Sequence, residues 1–390
     1  MKNFIYNANT KVYFGANEEK KVGEILKEFG GHKILIHYGK NSVIKSGLLN
    51  RIIEILKASD LDFVKLGGVE ANPKLSLVEE GIRLVQSEQV DFILAIGGGS
   101  VIDSAKSIAV GALVDHSPWL FSTHEKEPTK SIPLGVILTL AASGSDMSDS
   151  CVITNDQTKE KRGFNSPLNR PRFAILNPEL TYTVSPYQTA CGIVDIMMHT
   201  LERFISNEES IEPTDSIAIG LLKSVYHAGQ TVMKNPTDYE ARATLLWANS
   251  LSHNGLTSCG RQFVMSVHQL EHEVSGMFDY VAHGAGLAVL WPAWAKFAYP
   301  HAMEQFKRLS YEVLDIPKTD SPEDDILNGI EKLKTFFKEI GMPVTLKELN
   351  IGEEDIKKLA INVTFNHKRI LHDVIEIDEA MALKIYREAL

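Results

Sequence analysis

Residues Phe92–Ser100 read FILAIGGGS, an uninterrupted apolar run followed at once by three glycines and a serine. A short apolar run of this kind is typical of a strand buried on both faces of a parallel sheet. The glycines allow the backbone to approach a ligand closely, and a helix starting near Ser100 would direct free N–H groups at it. The stretch therefore predicts a strand, a tight turn and a helix that bind an anion, most naturally a pyrophosphate.

The chain around this stretch alternates strand-like and helix-like segments up to about residue 180. Apolar, β-rich runs predict strands at Lys33–His37, Leu61–Val64 and Leu134–Leu138, with an extra edge strand at Tyr6–Phe14. Apolar residues near a 3.6-residue period predict a helix from about Leu75 to Val85. Strand–helix–strand alternation with a glycine-rich turn indicates a doubly wound, mostly parallel sheet.

The character of the sequence changes after about Pro178, where convincing strand-like runs stop. Helices are predicted at Tyr187–Ser206, Asp215–Met233, Asp238–Asn254, Val264–Ser275 and Ile326–Ile340. We therefore expect an α/β dinucleotide-binding domain at residues 1–180 and a helical domain, which binds metal and substrate, at residues 181–390.

The composition limits the class of protein. Forty Lys and Arg against 50 Asp and Glu give a formal net charge of −10, which argues against affinity that comes from neutralising nucleic-acid phosphates. No apolar run approaches the roughly 20 residues that span a bilayer. Cys151, Cys191 and Cys259 lie far apart without CxxC spacing, so we expect neither a disulfide framework nor a thiolate zinc site. These features predict a cytoplasmic protein that binds neither nucleic acid nor membranes.

Two further loops follow predicted strands and carry small polar residues. Thr139–Asp146 (TLAASGSD) follows Leu134–Leu138, and Tyr38–Ser42 (YGKNS) follows Lys33–His37. In an open α/β sheet such loops line the crevice at the carboxyl ends of the strands. Three loops at one crevice fit a dinucleotide better than a mononucleotide or a plain phosphate.

The helical half carries a pattern typical of a metal site. Asp195 and His199 are four residues apart on one predicted helix, and His268 and His272 on another, so each pair shares a helix face. His283 follows in the sequence AHGAG. One carboxylate with two or three imidazoles suits a divalent metal such as iron or zinc. The alternative is chance spacing and surface hydrogen bonds, because the chain has 13 histidines.

Taken in order, these motifs resemble the iron-containing (group III) alcohol dehydrogenases, most closely the butanol dehydrogenase-like branch. The resemblance covers essentially the whole chain, through Thr10–Gly15, Gly68–Pro73, Gly97–Ser100, Leu138–Asp146, Leu176–Pro178, Gly192–Asp195, His268–Glu273 and His283–Ala288. It implies a Rossmann-like α/β amino-terminal domain and an all-α carboxyl-terminal domain, the architecture shared with dehydroquinate synthase.

The resemblance also implies residue roles. A divalent metal, Fe(II) or Zn(II), is expected on Asp195, His199, His268 and His283. His272 is expected near the substrate rather than on the metal, as a candidate catalytic proton relay. Contacts with a nicotinamide cofactor are expected from Gly39, Ser42, Asn72, Gly98, Gly99, Ser100, Asp103, Thr139, Ser143, Lys161 and Leu176.

The sequence departs from the family pattern at two places. Between His268 and His283 there is one more residue than the family usually has, within Met277–Ala282. This insertion affects the assignment of His283 as the fourth metal ligand, because it changes the spacing from His268. Asp146 also stands where the family often has Glu.

The implied reaction is hydride transfer between NAD(P)H and a small aliphatic aldehyde or primary alcohol, with the metal as Lewis acid. The loop Gly39–Ser42 carries one cation and no carboxylate, so a 2′-phosphate is tolerated and we expect NADP in preference to NAD. We also expect Lys40, Lys106 and Lys161 to be available to this anionic cofactor.

The residues alone are also compatible with other functions. A dehydroquinate synthase-type or glycerol dehydrogenase-type enzyme shares the architecture, but the former would need Lys and Arg clustered around the metal. Apolar residues such as Met197, Met198 and Phe263 favour an aliphatic substrate, although Met and Phe at helical spacing are usually core residues. A catalytically silent nucleotide- or metal-binding protein is the alternative from another class. Pairing of the edge strand across a two-fold axis predicts a homodimer.

Overall fold

The computed structural model describes residues 1–207 and 210–390. The chain divides into two compact units, one formed by Asn7–Val184 and the other by Met1–Tyr6 together with Ser185–Leu390. The first contains a six-stranded parallel sheet with helices between its strands, and the second is almost entirely helical. This confirms the predicted fold class, a Rossmann-like α/β part combined with a helical part.

The elements of the first unit alternate between strands and helices. Its strands are β1 (Lys11–Phe14), β2 (Lys33–Gly39), β3 (Asp62–Val69), β4 (Phe92–Gly97), β5 (Leu134–Leu138), β6 (Ser150–Asn155), β7 (Glu160–Asn165) and β8 (Phe173–Leu176). Its helices are α1 (Val22–Glu28), α2 (Ser42–Lys45), α3 (Leu48–Ala58), α4 (Leu75–Glu88), α5 (Gly99–Gly111) and α6 (Trp119–Ser122).

The main sheet has the strand order β1-β8-β5-β4-β2-β3, and all of its pairings are parallel. Strands β4, β5 and β8 are buried along their whole length, as expected when both faces of a sheet are covered. Phe92 stacks on Phe173 with ring centroids 5.9 Å apart. Gly135 leaves room for this pair, because a side chain there would overlap the Phe173 ring.

The register of the sheet brings the carboxyl ends of neighbouring strands side by side. Gly97 at the end of β4 pairs with Leu138 at the end of β5, and Leu138 pairs with Leu176 at the end of β8. On the other side of β4, Ile96 pairs with Tyr38 of β2. The loops after these strands therefore leave from one edge of the sheet, where open α/β sheets bind their ligands.

The sequence left parts of this unit unpredicted. The expected edge strand at Tyr6–Phe14 is shorter, since only β1 pairs with β8. Strand β8 and the antiparallel hairpin of β6 and β7 were missed. Strand β7 reads EKRGFN and is mostly half-buried, so it has no apolar run. Strand β8 has only four residues, too few for a periodic signal.

The second unit consists of helices and one small hairpin. The helices are α7 (Pro186–Phe204), α8 (Glu212–Lys234), α9 (Tyr239–His253), α10 (Ser266–Met277), α11 (His283–Ala298), α12 (Met303–Arg308), α13 (Pro322–Glu339), α14 (Glu353–Val363) and α15 (Glu379–Glu388). The hairpin pairs β9 (Leu371–His372) with β10 (Glu376–Ile377). The five predicted helices correspond to α7, α8, α9, α10 and α13, with ends close to those expected.

Helix α11 forms the core of the helical unit. It contacts α7, α10, α13 and α15, and its Trp291 and Trp294 are fully buried. Apolar residues cover nearly every side of this helix, so its sequence, HGAGLAVLWPAWAKFA, shows no polar face and it was not predicted. Met197 and Met198 of α7 are also fully buried. Core packing therefore explains both methionines, and they give no support to an apolar substrate site.

Within the described part of the chain, no helix combines the length and the apolar character that crossing a membrane requires. Cys151, Cys191 and Cys259 are all free thiols.

Candidate functional site

Helix α7 places the first two candidate metal ligands. Ser185 caps the helix by accepting a hydrogen bond from the Gln188 backbone N–H at 3.2 Å, and Pro186 occupies the first turn. Asp195 and His199 then lie one helical turn apart on the same face, and both are at least 95% buried. The His199 Nδ1 atom lies 3.2 Å from Asp195 Oδ1.

Two further imidazoles approach the same carboxylate oxygen. His268 Nε2, from α10, is 3.5 Å from Asp195 Oδ1, and His283 Nε2, at the start of α11, is 3.9 Å from it. The rings of His199 and His268 have centroids 4.4 Å apart, and those of His268 and His283 are 5.2 Å apart. The structure thus brings together all four residues that the sequence proposed as ligands, which we call the aspartate–histidine cluster.

The bonding of this cluster fits a cation. Asp195 Oδ1, His199 Nδ1 and His268 Nε2 are buried, and none of them has a hydrogen-bond partner among the described residues. A buried polar atom left unsatisfied costs about 1–3 kcal/mol, so three at one point would be strongly unfavourable. One carboxylate oxygen and imidazole nitrogens are the donors that Fe(II) and Zn(II) accept. A divalent cation at this point would satisfy all three atoms.

A buried carboxylate contacts His268 on the side of the ring that faces away from Asp195. His268 Nδ1 donates a hydrogen bond to Glu202 Oε1, and the Val267 backbone N–H donates to Glu202 Oε2 at 2.7 Å. Glu202 is 1% exposed. Because a carboxylate only accepts hydrogen bonds, the ring proton lies on Nδ1 and Nε2 faces Asp195. Carboxylates in this position fix the orientation of metal-binding histidines.

Glu271 has the same relation to His283. His283 Nδ1 donates to Glu271 Oε2, which also accepts a hydrogen bond from Ser275 Oγ at 3.3 Å. Glu271, His272 and His283 form a second group whose possible ligand atoms lie within 4.8 Å of one another, besides the group of Asp195, His199 and His268. The hydrogen bond between His283 and Glu271 favours the first group as the metal site, since it turns His283 Nε2 toward Asp195. His272 lies beside the cluster, with its ring centroid 5.4 Å from that of His283.

The ionisation of the cluster follows from burial and charge. Burial, and then the neighbouring His253 and His268, hold the pKa of His199 well below its usual value. Burial on its own would lower the pKa of His268, but Glu202 and Asp195 raise that pKa to about 9. A cation at His268 Nε2 would therefore compete with a proton for this ring.

Glycines at the start of α11 allow the cluster to close. A Cβ atom at Gly284 would overlap the backbone carbonyl of Cys191, one turn before Asp195 on α7. A Cβ atom at Gly286 would lie 2.7 Å from Glu271 Cγ. The extra residue between His268 and His283 falls in the connection from α10 to α11, where Val281 N donates to Phe278 O at 2.8 Å. The insertion is thus accommodated while His283 stays near Asp195.

Sequence reasoning missed the roles of Glu202 and Glu271. A signal for Glu202 was present, since it lies three residues after His199 and seven after Asp195, on the same face of α7. Glu271 was noted only as a neighbour of the histidine pair. Its contact with His283 depends on how α10 packs against α11, which spacing along the chain does not reveal.

The predicted phosphate turn lies between β4 and α5. Helix α5 begins at Gly99 without a side-chain cap and without an acidic residue in its first turn. A Cβ atom at Gly99 would overlap Ser143 Oγ, and one at Gly98 would lie 3.2 Å from Leu140. Thr139 N donates to Gly97 O at 3.1 Å. The turn and the loop after β5 are therefore packed directly together, beside an amino end of α5 that carries no capping side chain.

Lys106 is not available to a ligand, contrary to the sequence-based expectation. Its side chain is fully buried, and Nζ donates to Ser145 Oγ at 2.8 Å and to the carbonyls of Ser148 and Ser150 at 3.1 and 2.7 Å. Asp103, also expected at the cofactor, accepts hydrogen bonds from Ser145 Oγ and from the Val152 backbone N–H. These bonds hold the loop after β5 and strand β6 against α5.

The remaining predicted cofactor residues lie mostly at strand ends. Gly39, Asn72 and Leu176 lie at or just after the carboxyl ends of β2, β3 and β8, and Ser42 begins α2. Asn72 has a left-handed backbone, with φ of 54°. Lys161 lies instead on the hairpin, where it pairs with Thr154 in the β6–β7 register.

Comparison with known proteins identifies the family. The family model for iron-containing alcohol dehydrogenases matches residues 9–178, and the model for the carboxyl-terminal region of the same family matches residues 189–390. The chain belongs to the iron-containing alcohol dehydrogenases. The family resemblance and the assignment as an oxidoreductase are thereby confirmed.

Named members of the iron-containing alcohol dehydrogenases match along the whole chain. NADH-dependent butanol dehydrogenase A of Clostridium acetobutylicum is 36% identical over 390 residues, all of both chains. The NADPH-dependent aldehyde reductase YqhD of Escherichia coli is 31% identical over 394 residues, again all of both chains. The crystal structure of NADH-dependent butanol dehydrogenase A from Thermotoga maritima superposes with a TM-score of 0.96 at 35% identity, covering 100% of this chain and 99% of that one.

The close approach at Gly284 generates a test of the cluster. Gly284→Ala should displace the start of α11 from α7, because the new Cβ meets backbone rather than a mobile side chain. We expect Co(II) affinity of the metal-stripped protein to fall roughly tenfold, as when a metal ligand is poorly oriented. Titration followed by visible absorbance measures it.

The matched control is Gly220→Ala. Gly220 lies on α8, and a Cβ atom there meets nothing within 4 Å. We expect unchanged Co(II) affinity and a gain in stability of up to about 1 kcal/mol, because alanine favours a helix. Equal Co(II) affinity in the two variants would contradict the role of Gly284.

Proposed function

We propose that the protein transfers hydride between NAD(P)H and a small aliphatic aldehyde or primary alcohol, as a metal-dependent alcohol dehydrogenase or aldehyde reductase. The observation that carries this proposal is the convergence of three imidazoles on Asp195 Oδ1 in a chain of the iron-containing alcohol dehydrogenase family. Relatives that span the whole chain are named as butanol dehydrogenase and aldehyde reductase. This membership favours a dehydrogenase over a synthase-type enzyme or a silent binding protein.

The proposed metal ligands are Asp195, His199, His268 and His283. The buried atoms without hydrogen bonds support the first three, and the orientation of His283 by Glu271 supports the fourth. One carboxylate with three imidazoles accepts Fe(II) and Zn(II) alike. When bound, a divalent metal polarises the substrate oxygen, and the nicotinamide supplies or accepts the hydride.

The protein's own groups do the positioning and the proton handling. Glu202 and Glu271 keep protons on Nδ1 of His268 and His283, so that the Nε2 atoms stay directed at Asp195. His272 is half-buried beside His283, and we assign it the proton relay to solvent. The cofactor contacts are proposed for the glycine turn and the loops at the carboxyl ends of β2, β3, β5 and β8.

His199→Ala tests this function. The variant should lose metal retention and NADPH oxidation with butyraldehyde, because it removes one of the proposed metal ligands. NADPH binding should be unchanged, because the proposed cofactor residues belong to the other unit. Metal analysis, the coupled absorbance assay and NADPH fluorescence measure the three properties.

The matched control is His301→Ala, which removes an exposed histidine outside the cluster. It should leave metal content and turnover unchanged. Wild-type protein that holds metal and NADPH but turns over no aldehyde would contradict the proposed reaction. Metal retained at full occupancy by His199→Ala would contradict the ligand assignment.

The proposed cofactor is NADPH in preference to NADH. Lys40 lies in the loop after β2 and supplies a cation for a 2′-phosphate. Its Nζ pairs with Glu70, which follows β3, and the two side chains are 57% and 46% exposed. The loop sequence alone did not reveal this carboxylate. Because the pair is exposed, a doubly charged phosphate can displace Glu70 from Lys40, whereas an unphosphorylated ribose can donate hydrogen bonds to Glu70.

Substitutions of this pair should move the cofactor preference in opposite directions. Lys40→Ala should lower the NADPH:NADH ratio of kcat/KM, and Glu70→Gln should raise it, each by roughly fivefold for a solvent-exposed charge. Lys57→Ala removes a similarly exposed lysine, paired with Glu54 on α3, and should leave the ratio unchanged. A ratio unaffected by Lys40→Ala would contradict the proposed preference.

The proposed assembly is a homodimer in the cytoplasm. Strand β1 is the edge of the main sheet, and such edges pair readily with a second copy. Phe4 and Ile5, in the amino-terminal segment that belongs to the helical unit, are exposed apolar residues. Three free cysteines support a reducing compartment, so the activity should be recovered in the cytosolic fraction of producing cells.

Val12→Pro tests pairing through β1. Lys11 N donates to Arg172 O, so by strand alternation the Val12 N–H points away from β8, toward the open edge. Proline there should block pairing with a second copy and leave the sheet intact. Light scattering should give twice the chain mass of 43.3 kDa for the wild type and the chain mass for the variant. A monomeric wild type would contradict the proposed dimer.

A further inference from the structure

His253 brings an additional imidazole to the aspartate–histidine cluster. It is the last residue of α9, and its ring lies against that of His199 with centroids 4.1 Å apart and ring planes 30° apart. This contact is closer than the one between His199 and His268, at 4.4 Å. His253 is half-buried and does not belong to either group of possible metal ligands found among the described residues.

Hydrogen bonds near the end of α9 fix the backbone on either side of His253. Asp238 caps the start of the helix by accepting a hydrogen bond from Ala241 N at 2.9 Å. At the other end, buried Ser252 donates to Asn249 O at 2.8 Å, and Asn254 Oδ1 accepts from Leu256 N at 3.0 Å. The left-handed Gly255, with φ of 97°, then turns the chain. His253 is thus flanked on both sides by residues with fixed hydrogen bonds.

The His199 ring is not oriented by a carboxylate behind it, as the rings of His268 and His283 are. Glu202 and Glu271 hold His268 and His283 through Nδ1 and leave Nε2 directed at Asp195. His199 instead directs Nδ1 itself at Asp195. Among the described residues, no carboxylate other than Asp195 contacts the His199 ring. The second side-chain torsion of histidine is broad, so the helix alone does not determine the ring plane.

We propose that His253 is a positioning residue that sets the ring plane of the metal ligand His199 by stacking, in place of the carboxylate used at His268 and His283. This inference rests on the proposed ligation by His199. Stacking requires a flat ring and not a particular nitrogen atom, so phenylalanine should substitute for His253. An aliphatic or amide side chain should not, because it leaves the His199 ring free to rotate.

Co(II) titration of the metal-stripped full-length protein tests the proposal. Affinity is measured by competition with a chelator, and the visible d–d spectrum reports the ligand geometry. His253→Leu and His253→Gln should each weaken Co(II) binding roughly tenfold, in the range found for groups that orient ligands, and should change the spectrum. His253→Phe should stay within about threefold of the wild type and keep its spectrum. Circular dichroism confirms that each variant is folded.

The results distinguish failure of the proposed role of His253 from failure of the proposed metal-ligand set. Wild-type affinity and spectrum in a folded His253→Leu or His253→Gln variant would overturn the positioning role. Equal losses in His253→Phe and His253→Leu would also overturn it, because the imidazole nitrogen rather than the ring would then matter. His199→Ala, titrated in parallel, should not bind Co(II) at the cluster. If His199→Ala binds like the wild type, the proposed ligand set fails rather than the role of His253.

Discussion

The arrangement of the aspartate–histidine cluster depends on three buried carboxylates that face imidazole nitrogens. Asp195, Glu202 and Glu271 are at least 95% buried, and each contacts a histidine ring. Carboxylates removed from water are costly unless charge and hydrogen bonds compensate them. Glu202 accepts hydrogen bonds from the His268 ring and from the Val267 backbone N–H, and Glu271 Oε2 accepts them from the His283 ring and the Ser275 hydroxyl, whereas Asp195 Oδ1 has no hydrogen-bond donor among the described residues. A divalent cation at Asp195 would supply the missing positive charge, so the proposed metal would stabilise the fold as well as take part in the reaction.

Close backbone packing makes this arrangement possible. Helix α11 is apolar on nearly all sides, and its first turn carries His283 next to Gly284. Glycine at that position lets α11 meet the backbone of α7 at Cys191, one turn from Asp195. A residue with a side chain would separate the two helices by the width of that side chain. The spacing of the proposed ligands thus depends on a glycine outside the proposed ligand set.

The sequence predicted those features that short-range patterns encode. Uniformly apolar strands such as β4 and β5, the glycine turn, and the histidine pairs at helical spacing were all visible before the fold was known. Features that depend on packing were not. Helix α11 lacks a polar face and therefore a period, and the contacts of Glu271 with His283 and of Glu70 with Lys40 join separate elements. The prediction for Lys106 was wrong because a lysine near a glycine turn is expected to contact a bound phosphate. In the structure this lysine is buried, and its ammonium group donates hydrogen bonds to protein oxygens instead.

The most direct measurement is a crystal structure of protein loaded with Fe(II) or Zn(II), with anomalous data collected on both sides of the absorption edge of the metal. We predict a single anomalous peak at about 2.0–2.2 Å from Asp195 Oδ1, His199 Nδ1, His268 Nε2 and His283 Nε2. Both Nδ1 atoms of His268 and His283 should remain bonded to Glu202 and Glu271. A peak held instead by Glu271, His272 and His283, with Asp195 unligated, would contradict the central claim.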